Sequence, residues 1–220
     1  MSRKKLVRFA QNEANPNVVQ AGKPIFEQIK GRWNELQFQI EQPLVVELAC
    51  GRGEFTLGLG RQNPNQNFIG VDIKGSRIWK GSSMATAEDI HNVAFLRTQI
   101  QQLDSFFAPS EVAELWITFP DPFPRDGDEK RRLTSTRFLD MYKQLVKAGG
   151  IIHFKTDNTG LFDYTKEILA SRPDCKVLFS TSDFYESELR DAHHGIKTRY
   201  EKIFSDKGEK IKYIQFCFIE

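Results

Sequence analysis

The chain has 220 residues, 40% of them apolar and 27% charged, a length and balance that suit one globular domain. That composition excludes a disordered chain, a collagen and a coiled coil. Lys and Arg exceed Asp and Glu by only 2, which excludes a uniformly basic nucleic-acid coat but allows a local basic patch.

The N-terminus carries Arg3, Lys4, Lys5 and Arg8 with no apolar run behind them, so a secretory signal is not expected. No later run approaches the ~18 apolar residues that cross a bilayer. Pro24 is placed to open a helix over 24–36. From there, short apolar runs alternate with helical patterns. Strands are predicted at 44–48, 67–72, 92–97, 113–119, 150–155, 175–180 and 211–218. Helices are predicted at 53–61, 75–90, 130–148 and 159–171. In 130–148, Phe138, Tyr142 and Leu145 form an apolar stripe with Leu139 and Val146 beside it. Strongly apolar strands alternating with helices imply an α/β fold with a parallel sheet covered on both faces. The last two strands lack a helix between them and are expected to pair antiparallel at one edge. One domain over 1–220 is expected, with 1–36 as an N-terminal extension and 37–220 as the core. Cys50, Cys175 and Cys217 include no C-x-x-C pair, which favours reduced cytoplasmic thiols over a disulfide framework. No carboxylate or cysteine cluster has metal-ligand spacing, and His193-His194 are adjacent and poorly placed to share one ion. No metal is expected.

The clearest chemical signal is the strand-to-helix turn Glu47-Leu48-Ala49-Cys50-Gly51-Arg52-Gly53-Glu54-Phe55. Glycines in such a turn let the backbone approach a ligand, and the amides of the helix start face it. A dinucleotide site would carry G-x-G-x-x-G. Here an acid, Glu47, ends the strand, and Gly51 and Gly53 follow four and six residues later. A carboxylate in that place repels a pyrophosphate and suits a cation or an α-amino group. S-adenosylmethionine carries both. A tight turn with a helix-capping acid is the competing reading. Asp72 ends the next strand 19 residues after Gly53, the distance at which an acid can accept from ribose hydroxyls. Gln99, past the third strand, offers an acceptor for an adenine amino group.

The fourth strand runs into Phe119-Pro120-Asp121-Pro122-Phe123-Pro124-Arg125. Three alternating prolines exclude a helix or a central strand and hold Asp121 in a stiff loop at the sheet's end. A rigid carboxylate with aromatic neighbours suits a planar, hydrogen-bonding ring. Basic residues gather at Lys130, Arg131 and Arg132, and again at Arg190, His193, His194, Lys197, Arg199 and Lys202.

With these motifs the chain resembles the class I S-adenosylmethionine-dependent methyltransferases, and more closely the bacterial tRNA (guanine-N7-)-methyltransferases. The carrying segments are Glu47 to Phe55, Gly70 to Arg77, Phe119 to Pro124, Lys130 to Leu133, Phe154 to Asn158 and Thr198 to Glu201, in the family's order. The resemblance implies a Rossmann-like fold with a mostly parallel seven-stranded sheet, helices on both faces and an antiparallel edge strand. It implies methylation of guanine N7 at position 46, in the variable loop of tRNA. It implies Asp121 as the active-site acid, with Glu47, Gly51, Gly53, Asp72, Gln99 and Asp121 toward the cofactor. Arg125, Asp157, Thr198, Arg199, Tyr200 and Glu201 would meet the substrate, and Lys130, Arg131 and Arg132 the RNA. The expected partner is tRNA, with neither a membrane nor an obligatory protein partner. The family's usual glycine is replaced by Ala49, its usual aspartate by Gln99 and its common tryptophan by Phe123. Its basic loop after the prolines carries Asp126, Asp128 and Glu129. Three other readings stay open: a methyltransferase on another RNA or a small molecule, an NAD-dependent oxidoreductase, and a non-catalytic RNA-binding module. The glycine spacing disfavours the oxidoreductase.

Overall fold

A computed structural model describes residues 3–192 and 195–219, and side chains from Lys5 onward. His193 and His194 lie outside the described residues, as do the side chains of Arg3 and Lys4.

Among the described residues, eight strands form one sheet. They are β1 (Val18–Gln20), β2 (Leu44–Leu48), β3 (Asn67–Val71), β4 (Val93–Arg97), β5 (Val112–Thr118), β6 (Val146–Thr156), β7 (Cys175–Thr181) and β8 (Lys212–Phe218). Their order across the sheet is β1-β4-β3-β2-β5-β6-β8-β7. The first six pair in parallel, and β8 runs antiparallel to both β6 and β7. Every residue of β2 and β3 is buried, which is why their sequences are mostly apolar, with Glu47 and Asn67 as the buried polar exceptions. The last two strands pair antiparallel as expected. An eighth strand, β1, joins the seven expected and ties the N-terminal segment to the sheet edge through Val18–Gln20.

Helices α2 (Glu54–Gln62) and α3 (Gly75–Ala87) cover one face, where Phe55, Leu59 and Ile78 pack on Val45, Phe95 and Trp116. Helices α4 (Thr136–Leu145) and α5 (Thr159–Ala170) cover the other, packing Phe138, Tyr142 and Leu161 on Leu115, Ile117 and Phe154. A first helix, α1 (Arg3–Ala14), lies outside α3, where the Asn12 amide donates to the Gly75 carbonyl at 2.8 Å. A last one, α6 (Arg199–Ser205), follows an irregular stretch and returns to the sheet's upper edge. Among the described residues no helix is long and apolar enough to cross a membrane.

Two expected helices are corrected. The 24–36 segment is not one helix but a 3-10 turn at Pro24–Glu27 and a wide π-type turn at Trp33–Phe38. Gly31 breaks it with φ +74°, and Trp33 is pulled inward by a hydrogen bond from its Nε1 to the Phe106 carbonyl at 2.8 Å. The 130–148 segment keeps its apolar stripe, but α4 begins only at Thr136, because Ser135 is extended (φ −70°, ψ 156°). Asp126–Arg131 form a separate 3-10 turn, and β6 starts at Val146.

The sheet also fixes where a ligand can lie. From β2 the chain moves outward through β3 to β4, then crosses back to β5 and β6 on the other side. That reversal leaves a crevice beyond the carboxyl ends of β2 and β5, the usual ligand place in a doubly wound sheet.

Candidate active site

A cleft of about 660 Å³ occupies that crevice. Its wall includes Glu47, Gly51, Asp72, Gln99, Asp121, Arg131, Thr198, Arg199 and Tyr200, which lie far apart in the sequence.

Glu47 closes β2 on the face shared with Val45, and its carboxylate is buried. The Thr118 hydroxyl, from the end of β5, donates to Oε1 at 2.6 Å. The Thr56 amide donates to Oε2 at 2.9 Å, and the Thr56 hydroxyl donates to the same oxygen. These donors are all neutral. Burial pushes the carboxyl pKa up to about 7; the threonine hydrogen bonds oppose the shift and the nearby Asp72 adds to it. A buried carboxylate with no direct ion pair is a place that a bound cation would stabilise; Lys155 acts on Glu47 only through space and bonds Glu201 instead.

The turn after β2 supplies space beside it. Gly51 (φ +57°) lines the cleft, and a Cβ there would meet nothing nearer than the Ala49 carbonyl at 3.9 Å, so it would project into the ligand space. Gly53 does a different job: a Cβ there would lie 2.4 Å from the Phe95 ring. That glycine packs the turn onto the sheet and does not line the cleft. Ala49 also adopts the left-handed conformation, with φ +57°, which costs an L-residue about 1–2 kcal/mol. Asp72 is buried at the end of β3; its carboxylate accepts from the Gly51 amide at 3.0 Å and the Lys74 amide at 2.7 Å. It thus ties the glycine turn to the start of α3. Gln99 is exposed on the rim just past β4.

The reading of the sequence missed Ile73, which follows Asp72 and stands 52% exposed on the cleft wall. Tyr200 (56%) and Ile203 (38%) are also exposed and line the cleft. A large apolar residue just after a strand-ending acid was the available signal for Ile73; α6 had none, since its seven residues carry little helical periodicity.

The other side is the loop that leaves β5. Phe119 (φ +50°) and Phe123 (φ +43°) are both left-handed, and the prolines hold Asp121 exposed between them on the wall. Arg131 also lines this end; its guanidinium lies over the Phe123 ring at 4.2 Å and bonds Asp128 at 3.0 Å. Arg132 stacks on Tyr164 at 4.3 Å and donates to the Phe123 carbonyl at 3.1 Å. The acids of this loop therefore have partners: Asp128 holds Arg131, and Glu129 accepts from the Tyr164 hydroxyl at 2.9 Å. Lys130 and Arg125 are exposed and do not line the cleft.

Thr198, Arg199 and Tyr200 reach the cleft from the start of α6. The Thr198 hydroxyl accepts from the Glu201 amide at 3.1 Å as an N-cap, and the Arg199 amide donates to Glu54 at 2.6 Å. Glu201 departs from its neighbours: it is fully buried, does not line the cleft, and accepts from Lys155 at 2.6 Å. Asp157 is half-buried outside the cleft; burial raises its carboxyl pKa, and its carbonyl accepts from Lys212 at 2.8 Å. Among the described residues no three His, Cys, Asp or Glu side chains gather as a metal cluster.

Comparison with known proteins adds an independent line. A family model described as "Putative methyltransferase" matches residues 41–214. A tRNA (guanine-N(7)-)-methyltransferase of Cytophaga hutchinsonii is 46% identical over 220 residues, 100% of this chain and 99% of that protein. Proteins of the same name from Christiangramia forsetii and Bacteroides fragilis are 43% and 44% identical over 98% of this chain, and over 98% and 86% of their own lengths. Among solved structures, the 16S rRNA methyltransferase KamB superposes with a TM-score of 0.64 at 16% identity, over 91% of this chain and 95% of that one. An antibiotic-related methyltransferase superposes at 0.59 with 17% identity, over 93% and 98%. At such identities the likeness speaks for the fold alone.

Proposed function

Since the chain belongs to the family of tRNA (guanine-N7-)-methyltransferases, we propose that it methylates N7 of the variable-loop guanine at tRNA position 46, with S-adenosylmethionine as methyl donor. The observation that carries this reading is one continuous cleft with two unlike ends. A buried, cation-seeking carboxylate and a glycine turn form one end. A stiff acid loop, an arginine on an aromatic ring and an exposed tyrosine form the other.

The residues fit the cofactor. Glu47 meets its positive end, Asp72 accepts from the ribose, Gly51 leaves room for close approach, and Ile73 and Gln99 flank the adenine. When bound, S-adenosylmethionine supplies an electrophilic methyl group on a sulfonium. The ring nitrogen N7 has an in-plane lone pair and no proton, so the protein needs no general base. Its task is positioning and electrostatics. Asp121 accepts from the guanine N1–H and amino group and offsets the positive charge that the ring acquires. Phe123 and Tyr200 offer faces against which an unstacked base can rest. Thr198, Arg199 and Arg131 meet the flanking backbone, and Lys130, Arg132 and Arg125 extend the contact outside the cleft. Asp157 and Glu201 act from behind this surface. The protein works in the cytoplasm, where its substrate is, as one domain over 1–220.

The test is to incubate an unmodified tRNA transcript with methyl-labelled cofactor and map the labelled base. Label as 7-methylguanosine at position 46 supports the reading. Label on another base or atom, or none with tRNA and some with small acceptors, contradicts it.

A further inference from the structure

Lysine is among the side chains least often buried completely, yet Lys155 has no exposed surface. It sits near the end of β6, on the face of His153, and pairs in register with Thr118, the residue that bonds Glu47. Its ammonium donates to Glu201 at 2.6 Å, and the Tyr185 hydroxyl donates to the same oxygen. Three rings surround it, with centroids at 4.8 Å (Phe184), 5.8 Å (Phe119) and 5.9 Å (Phe55). Burial lowers its pKa, and Glu201 opposes that shift.

Those contacts are not a random sample of the core. Phe55 follows the glycine turn. Phe119 is the left-handed entry to the Asp121 loop, and its amide donates to the Lys155 carbonyl at 2.9 Å. Phe184 and Tyr185 belong to the stretch before α6, and Glu201 is on α6 itself. One side chain therefore touches the elements that build both ends of the cleft. Stability does not explain the choice, because a buried ion pair can often be replaced by apolar side chains without loss.

We propose that Lys155 is a positioning residue for methyl transfer: through Glu201 it holds α6, and with it Thr198, Arg199 and Tyr200, in fixed relation to the Asp121 loop. This rests on the function proposed above. It also accounts for Glu201, which belongs to the substrate-side motif yet faces away from the cleft.

The test compares the parent with the double variant Lys155→Met, Glu201→Leu, which fills the same space without charge. Thermal midpoint, cofactor affinity by calorimetry, backbone amide exchange and methylation at saturating tRNA are measured on both. The expected result is a parent-like midpoint and a cofactor Kd within about threefold. Exchange of the α6 amides should be at least tenfold faster, with β2 and β3 unchanged, and kcat at least thirtyfold lower. Glu201→Gln, nearly isosteric, is the companion should the pair disturb folding, with a kcat about tenfold lower and the same local rise in exchange. Parent-like kcat, or unchanged α6 protection, in a folded variant overturns the proposal. A parent that does not methylate tRNA counts against the function alone, because amide exchange still reads the latch.

Discussion

The two ends of the cleft treat a buried glutamate in opposite ways. Glu47, at the cofactor end, is held by threonine hydroxyls and an amide. Glu201, behind the acceptor end, is held by a buried ammonium. Both carboxylates are out of water, but only Glu201 is directly ion-paired inside the protein; Lys155 reaches Glu47 through space alone. Burial alone therefore does not assign an acid its role. A buried acid with its own cation is part of the scaffold. A buried acid with only neutral donors, on a cleft wall, waits for charge from outside.

The largest expected effect falls on the exposed acid of the acceptor end. Asp121→Asn preserves size and the proline setting but replaces one acceptor oxygen with a donor. Losing one charged hydrogen bond at about 1.5–3 kcal/mol should slow single-turnover methylation roughly 10- to 150-fold. Cofactor affinity should fall far less than the rate. Equal rates for the two proteins would make Asp121 a turn residue only.

A second prediction concerns Glu47. Its carboxyl pKa is raised from 4.5 to about 7 in the ligand-free fold. An acid with a raised folded pKa contributes its stability fully below its unfolded pKa and loses it as pH climbs through the folded one. Ionising Glu47 should therefore cost the free protein about 3 kcal/mol between roughly pH 4.5 and 7.5. Glu47→Gln should gain on the parent by about that amount across this window, read from urea unfolding at each pH. Bound cofactor should abolish the gain, and its affinity for the parent should rise as Glu47 ionises. A constant difference between the two proteins would mean that Glu47 does not titrate there.

The smallest expected effect sharpens the cofactor end. Ala49 stands at φ +57°, where glycine escapes the left-handed penalty but gives back part of the gain through a freer unfolded chain. Ala49→Gly should raise the thermal midpoint by about 1–3 °C, given that about 1 kcal/mol moves a domain of this size by roughly 2–4 °C. A lower midpoint would show that the alanine methyl packs usefully against its surroundings.

What could be read from the sequence follows the same physics. Strands with cores buried on both faces announce themselves as apolar runs, so β2 to β6 and β8 were legible to within a few residues; β7, largely exposed at the sheet edge, was legible from its Val177-Leu178-Phe179 run. Glu47, Asp72 and Asp121 were legible because each stands at or just beyond the carboxyl end of a strand on the same edge of a parallel sheet. Departures came where a partner far along the chain decides the outcome. The 24–36 segment has helical spacing, but Gly31 and the pull of Phe106 on Trp33 override it. β1 is three residues long and is strand only because β4 is beside it. Lys155 looks like an exposed terminal residue of β6 until Glu201, 46 residues later, folds over it. Asp126 to Glu129 look like a repulsive patch until Arg131 and Tyr164 are seen to bind two of them.

Methyl transfer to N7 without a general base is tested most directly by a single-turnover pH profile of the parent enzyme. Cofactor is held saturating at every pH from 6 to 9, so that Glu47 titration in the free protein does not enter, and product is mapped as 7-methylguanosine. The account predicts label at position 46 and a rate that does not rise through neutral pH, because N7 gives up no proton. A sigmoidal rise near pH 7, or label at a nitrogen that must lose a proton, would contradict it.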